Sequence, residues 1–319
     1  GKIQWQTPAG GAWTDSHPGT RGTPTVDDDR IYFQNPLGEL FCLEAATGKP
    51  IWNVNVLERF GSSNITWALA ESTLVDGDRV ISTPGGPQTA VVALNKMTGE
   101  TVWQSPSAEG DLAGYATPTL AEYEGKRLLF TFTSKAIICV DADTGKLYWR
   151  VPHETSYDVN ALKPIFRDGL VYVSSGYGTG SRMLQVKVAG NQVEVEEVWS
   201  NPELDNHHGG VVLWDGYLYG AKFGRDWACL DWATGRTMYS APGVGKGSLT
   251  CADGMLYTLS EKSQMGLVAA DSKSFEVVSR FRLPRQGEGP SWAYPVVCGG
   301  RLYVRHDNYL YCHDVRSRP

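Results

Sequence analysis

No two of the six cysteines are adjacent and no Cys-x-x-Cys-His occurs, so the chain has neither a vicinal disulfide nor a covalent haem attachment site. Basic residues are not in excess. With 29 Lys and Arg against 35 Asp and Glu, the net charge is −6 and the cations are scattered, so nucleic acid is not expected as a partner. No apolar run approaches the roughly 18–20 residues of a membrane-spanning helix. The opening GKIQWQT has no charged, apolar, cleavable signal architecture, and the expectation is a soluble chain of periplasmic or secreted origin.

The abundant residues point to an all-β fold. There are 36 Gly and 17 Pro for turns, and 11 Trp, 15 Tyr and 41% hydrophobic residues for a core. A length of 319 residues would ordinarily suggest two domains, but internal repetition decides otherwise. One phrase recurs: a small residue, an acidic or Asn residue two later, Thr-Gly, then an aromatic four beyond the Gly. Clear copies are CLEAATGKPIW (42–52), ALNKMTGETVW (93–103), CVDADTGKLYW (139–149) and CLDWATGRTMY (229–239). Degraded copies end at Trp199 and Phe281, the latter without Thr-Gly. A seventh is split, YCHDVRSRP at the C-terminus supplying the first half and GKIQW the second.

Upstream of each phrase lies a strand, tight turn, strand pattern, as in TPTVDDDRIYF (23–33), KPIFRDGLVYV (163–173), GVVLWDGYLYG (210–220) and PVVCGGRLYVR (295–305). The Asp-Gly and Gly-Gly pairs suit hairpin turns at positive φ. Each repeat therefore predicts four antiparallel strands. The closing aromatics at 5, 52, 103, 149, 199, 239 and 281 number seven. The reading is an all-β, seven-bladed β-propeller of four-stranded antiparallel blades, a single domain over 1–319 without significant helix. Its blade 7 is expected to form from 291–319 plus 1–6, so that the N-terminal strand closes the last blade and hides its edge.

At these residues the chain resembles the pyrroloquinoline quinone (PQQ) repeat propellers, whose tryptophan-docking phrase residues 93–103 match throughout. TPGG (83–86), SSGYGTG (174–180), NHHGGVV (206–212) and GKGSLT (245–250) make it similar to the secreted members labelled polyvinyl-alcohol-dehydrogenase-like. A WD40 propeller fits less well, since Trp214-Asp215 falls in an inner turn. Resemblance to the PQQ alcohol dehydrogenases implies a quinone stacked on a Trp, which Trp67 or Trp292 would offer. It also implies a calcium ion, an Asp base (Asp158, Asp226 or Asp307) and a cap of adjacent cysteines. The sequence lacks that cap, and its seven blades differ from those enzymes' eight. PQQ with calcium is thus a possible cofactor, and none is required.

The cysteines read as fillers. Cys42, Cys139, Cys229 and Cys312 share one repeat slot with Ala93 and Ala269, and Cys251 and Cys298 share another, so all six are expected to be free, the first four buried.

In a propeller, the segments leading into the innermost strands and the loops joining second to third strands gather at one channel mouth. The lead-in segments carry Arg21, Trp67, Tyr115, Asn160, His207, His208, Lys246 and Trp292. The joining loops add Tyr177, Lys222, Arg225, Asp226, Trp227, Lys262, Arg305, His306 and Asp307. Positive charge dominates, so the expected ligand is a small anionic or polyhydroxylated molecule stacked on aromatics. The pair His207-His208, followed by two glycines, reads first as part of the channel wall, then as a ligand contact, and last as metal or acid–base groups. As metal ligands the pair would need His17, or His306 with Asp307. Two further readings stay open: a PQQ-dependent alcohol oxidoreductase, and an interaction scaffold resembling the propeller of the outer-membrane β-barrel assembly machinery. The scaffold predicts an apolar loop patch in place of a charged mouth.

Overall fold

The computed structural model describes residues 1–316. Seven antiparallel sheets follow one another along the chain, each built from sequentially adjacent strands. Blade 1 runs from Thr25–Asp27 to Pro50–Asn55, blade 2 from Leu74–Asp76 to Thr101–Gln104, and blade 3 from Thr119–Tyr123 to Leu147–Pro152. Blade 4 runs from Ile165–Arg167 to Gln192–Asn201, blade 5 from Val211–Trp214 to Thr237–Ala241, and blade 6 from Gly247–Ala252 to Val277–Arg282. These six have four strands each; the seventh, Val296–Cys298, Arg301–His306 and Tyr309–Asp314, has three. The fold is a seven-bladed β-propeller. Helix is confined to one turn, Val56–Arg59, capped by the Asn55 side chain, and a 3-10 turn at Ser156–Asp158.

The chain falls into two compact units: Gly1–Val171 with Gln185–Glu196, and Tyr172–Leu184 with the chain from Glu197 onward. In the first unit the repeat's aromatics lock consecutive blades. Trp52 Nε1 donates to Lys96 O at 3.0 Å and Trp103 Nε1 to Ala142 O at 3.1 Å. Each indole lies on the turn glycine of the next phrase. A Cβ on Gly99 would sit 2.8 Å from Trp52, and one on Gly145 would sit 2.6 Å from Trp103. Glycine is needed there twice, for its positive φ and for the ring's approach. In the second unit Trp199 uses Trp232 O and Gly235 likewise. Trp149 Nε1 is buried without a hydrogen bond, because the following outer hairpin is lengthened to Gly180–Ala189 and Gln192–Asn201 and offers no Thr-Gly turn.

Trp5 keeps the docking role its spacing predicts, donating to Ala45 O at 3.0 Å above Gly48. The strand expected of residues 1–6 is not formed, and the last sheet keeps three strands among the described residues. This bears on the cysteines. Cys42, Cys139 and Cys229 are flanked on both sides by aromatics, as in Tyr32↔Cys42↔Trp52, and are fully buried. Cys312 pairs with Tyr303 alone on an edge strand and is exposed, correcting its expected burial; all six thiols are free.

The inner turns follow the Asp-Gly pattern, with positive φ at both Asp168-Gly169 and Asp215-Gly216. Trp214-Asp215 does lie at such a turn. Blade 3 uses Glu124-Gly125, which the repeat reading passed over. A bulge recurs directly after the small residue at Cys42/Leu43, Ala93/Leu94, Cys139/Val140 and Cys229/Leu230, and in blade 6 it falls at Leu267/Val268, two residues before Ala269.

Candidate functional site

Within the second unit, lead-in segments and joining loops do meet. His207 and His208 precede blade 5, Lys246 immediately precedes blade 6, and Trp292 lies before blade 7. Tyr177 and Phe223 lie on joining loops of blades 4 and 5, and Glu261 directly follows Met255–Ser260. Glycines make the approach possible: a Cβ on Gly209 would fall 1.8 Å from Gly247 O, and one on Gly210 would strike the Tyr294 ring. Tyr294 Oη in turn donates to His208 O at 2.9 Å.

Glu261 Oε1 is the hub. It accepts from Trp292 Nε1 at 3.0 Å and lies 3.3 Å from both Lys246 Nζ and His208 Nε2. Lys246 Nζ also reaches His207 Nδ1 at 3.1 Å and sits over the Phe223 ring, 4.7 Å from its centroid. An ammonium can only donate, so Nδ1 accepts and the His207 proton resides on Nε2. The rings continue the cluster: Tyr177 on Phe223 at 4.4 Å, His207 on His208 at 4.5 Å, His208 on Trp292 at 5.1 Å.

Burial holds His207 neutral, its pKa pushed down to about 3, with His208 and Lys246 adding to the shift. His208 is lowered too, chiefly by burial. The N–H of His208, helped by Lys246 and Trp292, holds Glu261 down at about 2 against burial. The cluster is therefore one cation and one anion amid neutral rings, and carries no net charge.

Two of the cations expected at the mouth are paired with carboxylates. Lys222 is paired with Glu203 at 2.7 Å as Lys246 is with Glu261, while Arg225 is exposed and Arg305 is exposed with its Nε on Asp307 O at 3.2 Å. Trp227 is buried, donating to Gly245 O. Glu261 and Phe223 were missed, although each neighbours a residue already singled out on its loop.

The first unit holds a second group. Arg21 donates to Trp67 O and to His17 O, the latter at 2.7 Å, and burial lowers its pKa. Trp67 meets Tyr115 at 6.2 Å and Tyr157 at 5.9 Å between ring centroids. Tyr157 is 67% exposed, held out by a turn in which it and Asp158 both take φ 59°, with Asp158 tied to Lys135 at 2.7 Å. Asn160, expected to face a ligand, is a wall residue. It is fully buried and its amide nitrogen bridges Thr133 O, Ser134 O and His153 O. Asn206 does the same in blade 5, reaching Gly210 O and Ala221 O.

The residues do not fit a calcium–quinone centre. No adjacent cysteines can cap a ring, and among the described residues no three His, Cys, Asp or Glu side chains stand close enough to hold a metal ion. Of the expected bases, Asp158 is already spent on Lys135.

The repeat, the blades and the indole locks define a PQQ-like repeat β-propeller. Residues 1–241, about three quarters of the chain, match the family model described as outer membrane protein assembly factor BamB, and the chain belongs to that family. It is 27% identical over 211 residues to a quinoprotein ethanol dehydrogenase of Pseudomonas aeruginosa, covering 66% of this chain and 27% of that protein. It is 23% identical over 192 residues to a tetrathionate hydrolase of Acidithiobacillus ferrooxidans, covering 55% and 36%. The chain thus spans about a third or less of these relatives' own lengths. Its fold is similar to the crystal structure of BamB from Moraxella catarrhalis, with a TM-score of 0.65 at 17% identity over 97% of this chain and 85% of that one.

Proposed function

We propose that this chain is a non-catalytic binding propeller of the cell envelope that docks an apolar segment of a protein engaged in outer membrane protein assembly. The observation that carries this reading is the Trp67–Tyr115–Tyr157 cluster. Its rings stand on loops, Tyr157 is largely solvent-exposed, and the nearby cations are consumed by Trp67 O, His17 O and Asp158. Trp and Tyr displayed without free charge are the residue types that dominate protein–protein hot spots. The family's description names the assembly role, and the mismatch with a quinone centre removes support from the oxidoreductase alternative. The test is a Trp67→Ala/Tyr157→Ala variant in cells lacking the wild-type chain. Outer membrane protein content is expected to fall to the level of the deletion while the purified variant keeps its melting temperature. Unchanged content overturns the reading.

A second reading rests on the Glu261 hub. Its Oε2 takes no hydrogen bond among the described residues, and Tyr177, Phe223 and Trp292 supply ring faces, which favours an uncharged polyhydroxylated ligand over an anionic one. Titration with D-glucose is expected to change tryptophan fluorescence in the wild type and not in Trp292→Phe. The absence of any wild-type change rejects it.

A further inference from the structure

Cations without carboxylate partners gather around another space in the second unit, which includes Lys262 and His306 of the joining loops. A cavity of about 240 Å³ is lined by Lys262, Ser263, Arg282, Arg285, Gln286, Gly287 and His306. Lys262, Arg282 and Arg285 are exposed and none has an ion-pair partner among the described residues, in contrast to Lys222 and Lys246. Glu261, the chain neighbour of Lys262, is committed to Lys246, His208 and Trp292 and does not neutralise the cavity.

His306 supplies an independent pointer. It is only 6% exposed, yet it lines the cavity. Its Nδ1 lies 3.1 Å from Ser291 Oγ, which lies 2.7 Å from Ser263 Oγ. Where Ser263 donates to Ser291 and Ser291 to Nδ1, one of the donor orders these contacts allow, the imidazole carries its proton on Nε2. Gly287 covers that edge of the ring: a Cβ there would lie 2.9 Å from Cδ2 and 3.2 Å from Nε2. The loop can cross the ring so closely only because residue 287 is glycine, at φ +87°. Two guanidinium forks, an ammonium and a polarised ring N–H surround one space, and that donor set matches a tetrahedral oxyanion. Across Gly287 an adjoining cavity of about 580 Å³ is lined by Glu288, Asp307, Asn308 and Tyr309. Its carboxylates exclude a second anionic group and accept from hydroxyls.

We propose that the cavity between Lys262, Arg282, Arg285 and His306 binds the phosphate group of a small polyol phosphate, its hydroxyls directed toward Glu288 and Asp307. The same chemistry is presented by a free phosphorylated polyol and by a glycerol-bearing phospholipid headgroup. The experiment measures melting temperature with inorganic phosphate and with glycerol 3-phosphate. It adds co-sedimentation with phosphatidylglycerol vesicles, phosphatidylcholine vesicles being the control. Both soluble phosphates are expected to stabilise the wild type, with glycerol 3-phosphate binding more tightly. Arg282→Gln/Arg285→Gln is expected to weaken binding tenfold or more without changing the melting temperature of the free protein. His306→Phe, which removes Nε2 together with the Nδ1 contact to Ser291, is expected to weaken it less. Vesicle binding lost in the Arg variant identifies the lipid source; a soluble response without vesicle binding identifies the free phosphate. No response to any phosphate probe, an Arg variant that responds like the wild type, or equal stabilisation by sodium chloride at matched ionic strength overturns the proposal.

Discussion

Lys246 and Glu261 hold each other at 3.3 Å from Nζ to Oε1, with side chains 18% and 28% exposed, and among the described residues neither has another partner of opposite charge. Removing one partner strands the other beside two neutral histidines. Glu261→Gln is therefore expected to cost about 1–3 kcal/mol, less than the roughly 3–5 kcal/mol of breaking a fully buried pair, because both groups retain some solvent. Adding Lys246→Met should recover part of that loss. Chemical denaturation of both single variants and the double variant measures it, and strictly additive losses would show that the pair is not coupled.

The pH response of this cluster has a definite sign. His207 has its folded pKa pushed down to about 3 from 6.5, so between those values the unfolded chain binds a proton that the folded chain refuses. The stability it contributes is present above pH 6.5 and is lost as the pH falls toward 3. Glu261, held down at about 2, adds a loss that begins below its ordinary 4.5. His207→Gln should reduce the fall of the melting temperature between pH 6.5 and 3, the slope that remains coming from His208, whose pKa is lowered too, and from Glu261 below pH 4.5. A slope unchanged by the substitution would assign it to other groups.

Glu71 predicts the opposite sign. It is buried in the segment leading into blade 2, its Oε1 accepting from Gln34, Ser82 and the Thr83 N–H, while Oε2 has no hydrogen bond among the described residues. Burial raises its pKa above 4.5, so its contribution is full below that value and is lost as the pH rises through the raised one. Glu71→Gln keeps the acceptor and removes the ionisation. It should raise stability at neutral pH by about 1 kcal/mol or more and have little effect at pH 4. A variant less stable than the wild type at pH 8 would contradict this.

Thiol reactivity distinguishes the blades. Cys298 and Cys312 are exposed, Cys251 is partly covered with its pKa raised by burial, and Cys42, Cys139 and Cys229 are enclosed. Titration of the native protein with a chromogenic disulfide should show two fast thiols, and six after denaturation. Fewer than six in denaturant would mean a disulfide.

The repeat phrase made the blades legible because its parts have local causes. Thr-Gly and Asp-Gly turns need positive φ, and alternating apolar residues need one buried face, so spacing alone located Trp52, Trp103 and Trp199, whose carbonyl partners only the structure shows. It also brought His207, His208, Lys246 and Trp292 onto matching segments. Their balance of charge was not legible. Whether a lysine is a free cation depends on a carboxylate some fifteen residues away, as with Lys246 and Glu261, and whether an asparagine faces outward depends on which carbonyls surround it, as with Asn160.

By itself, the sequence determined the seven repeats, most of their turns and the locks at Trp5, Trp52, Trp103 and Trp199, since each is written within a dozen residues and follows from backbone sterics and hydrophobic alternation. Tertiary structure alone decided that residues 1–6 form no strand, that Cys312 lies open on an edge, and that unpaired cations gather around His306 instead of His207. The physical reason is range: turn conformation is set by neighbours along the chain, whereas burial, pairing and protonation are set by neighbours in space.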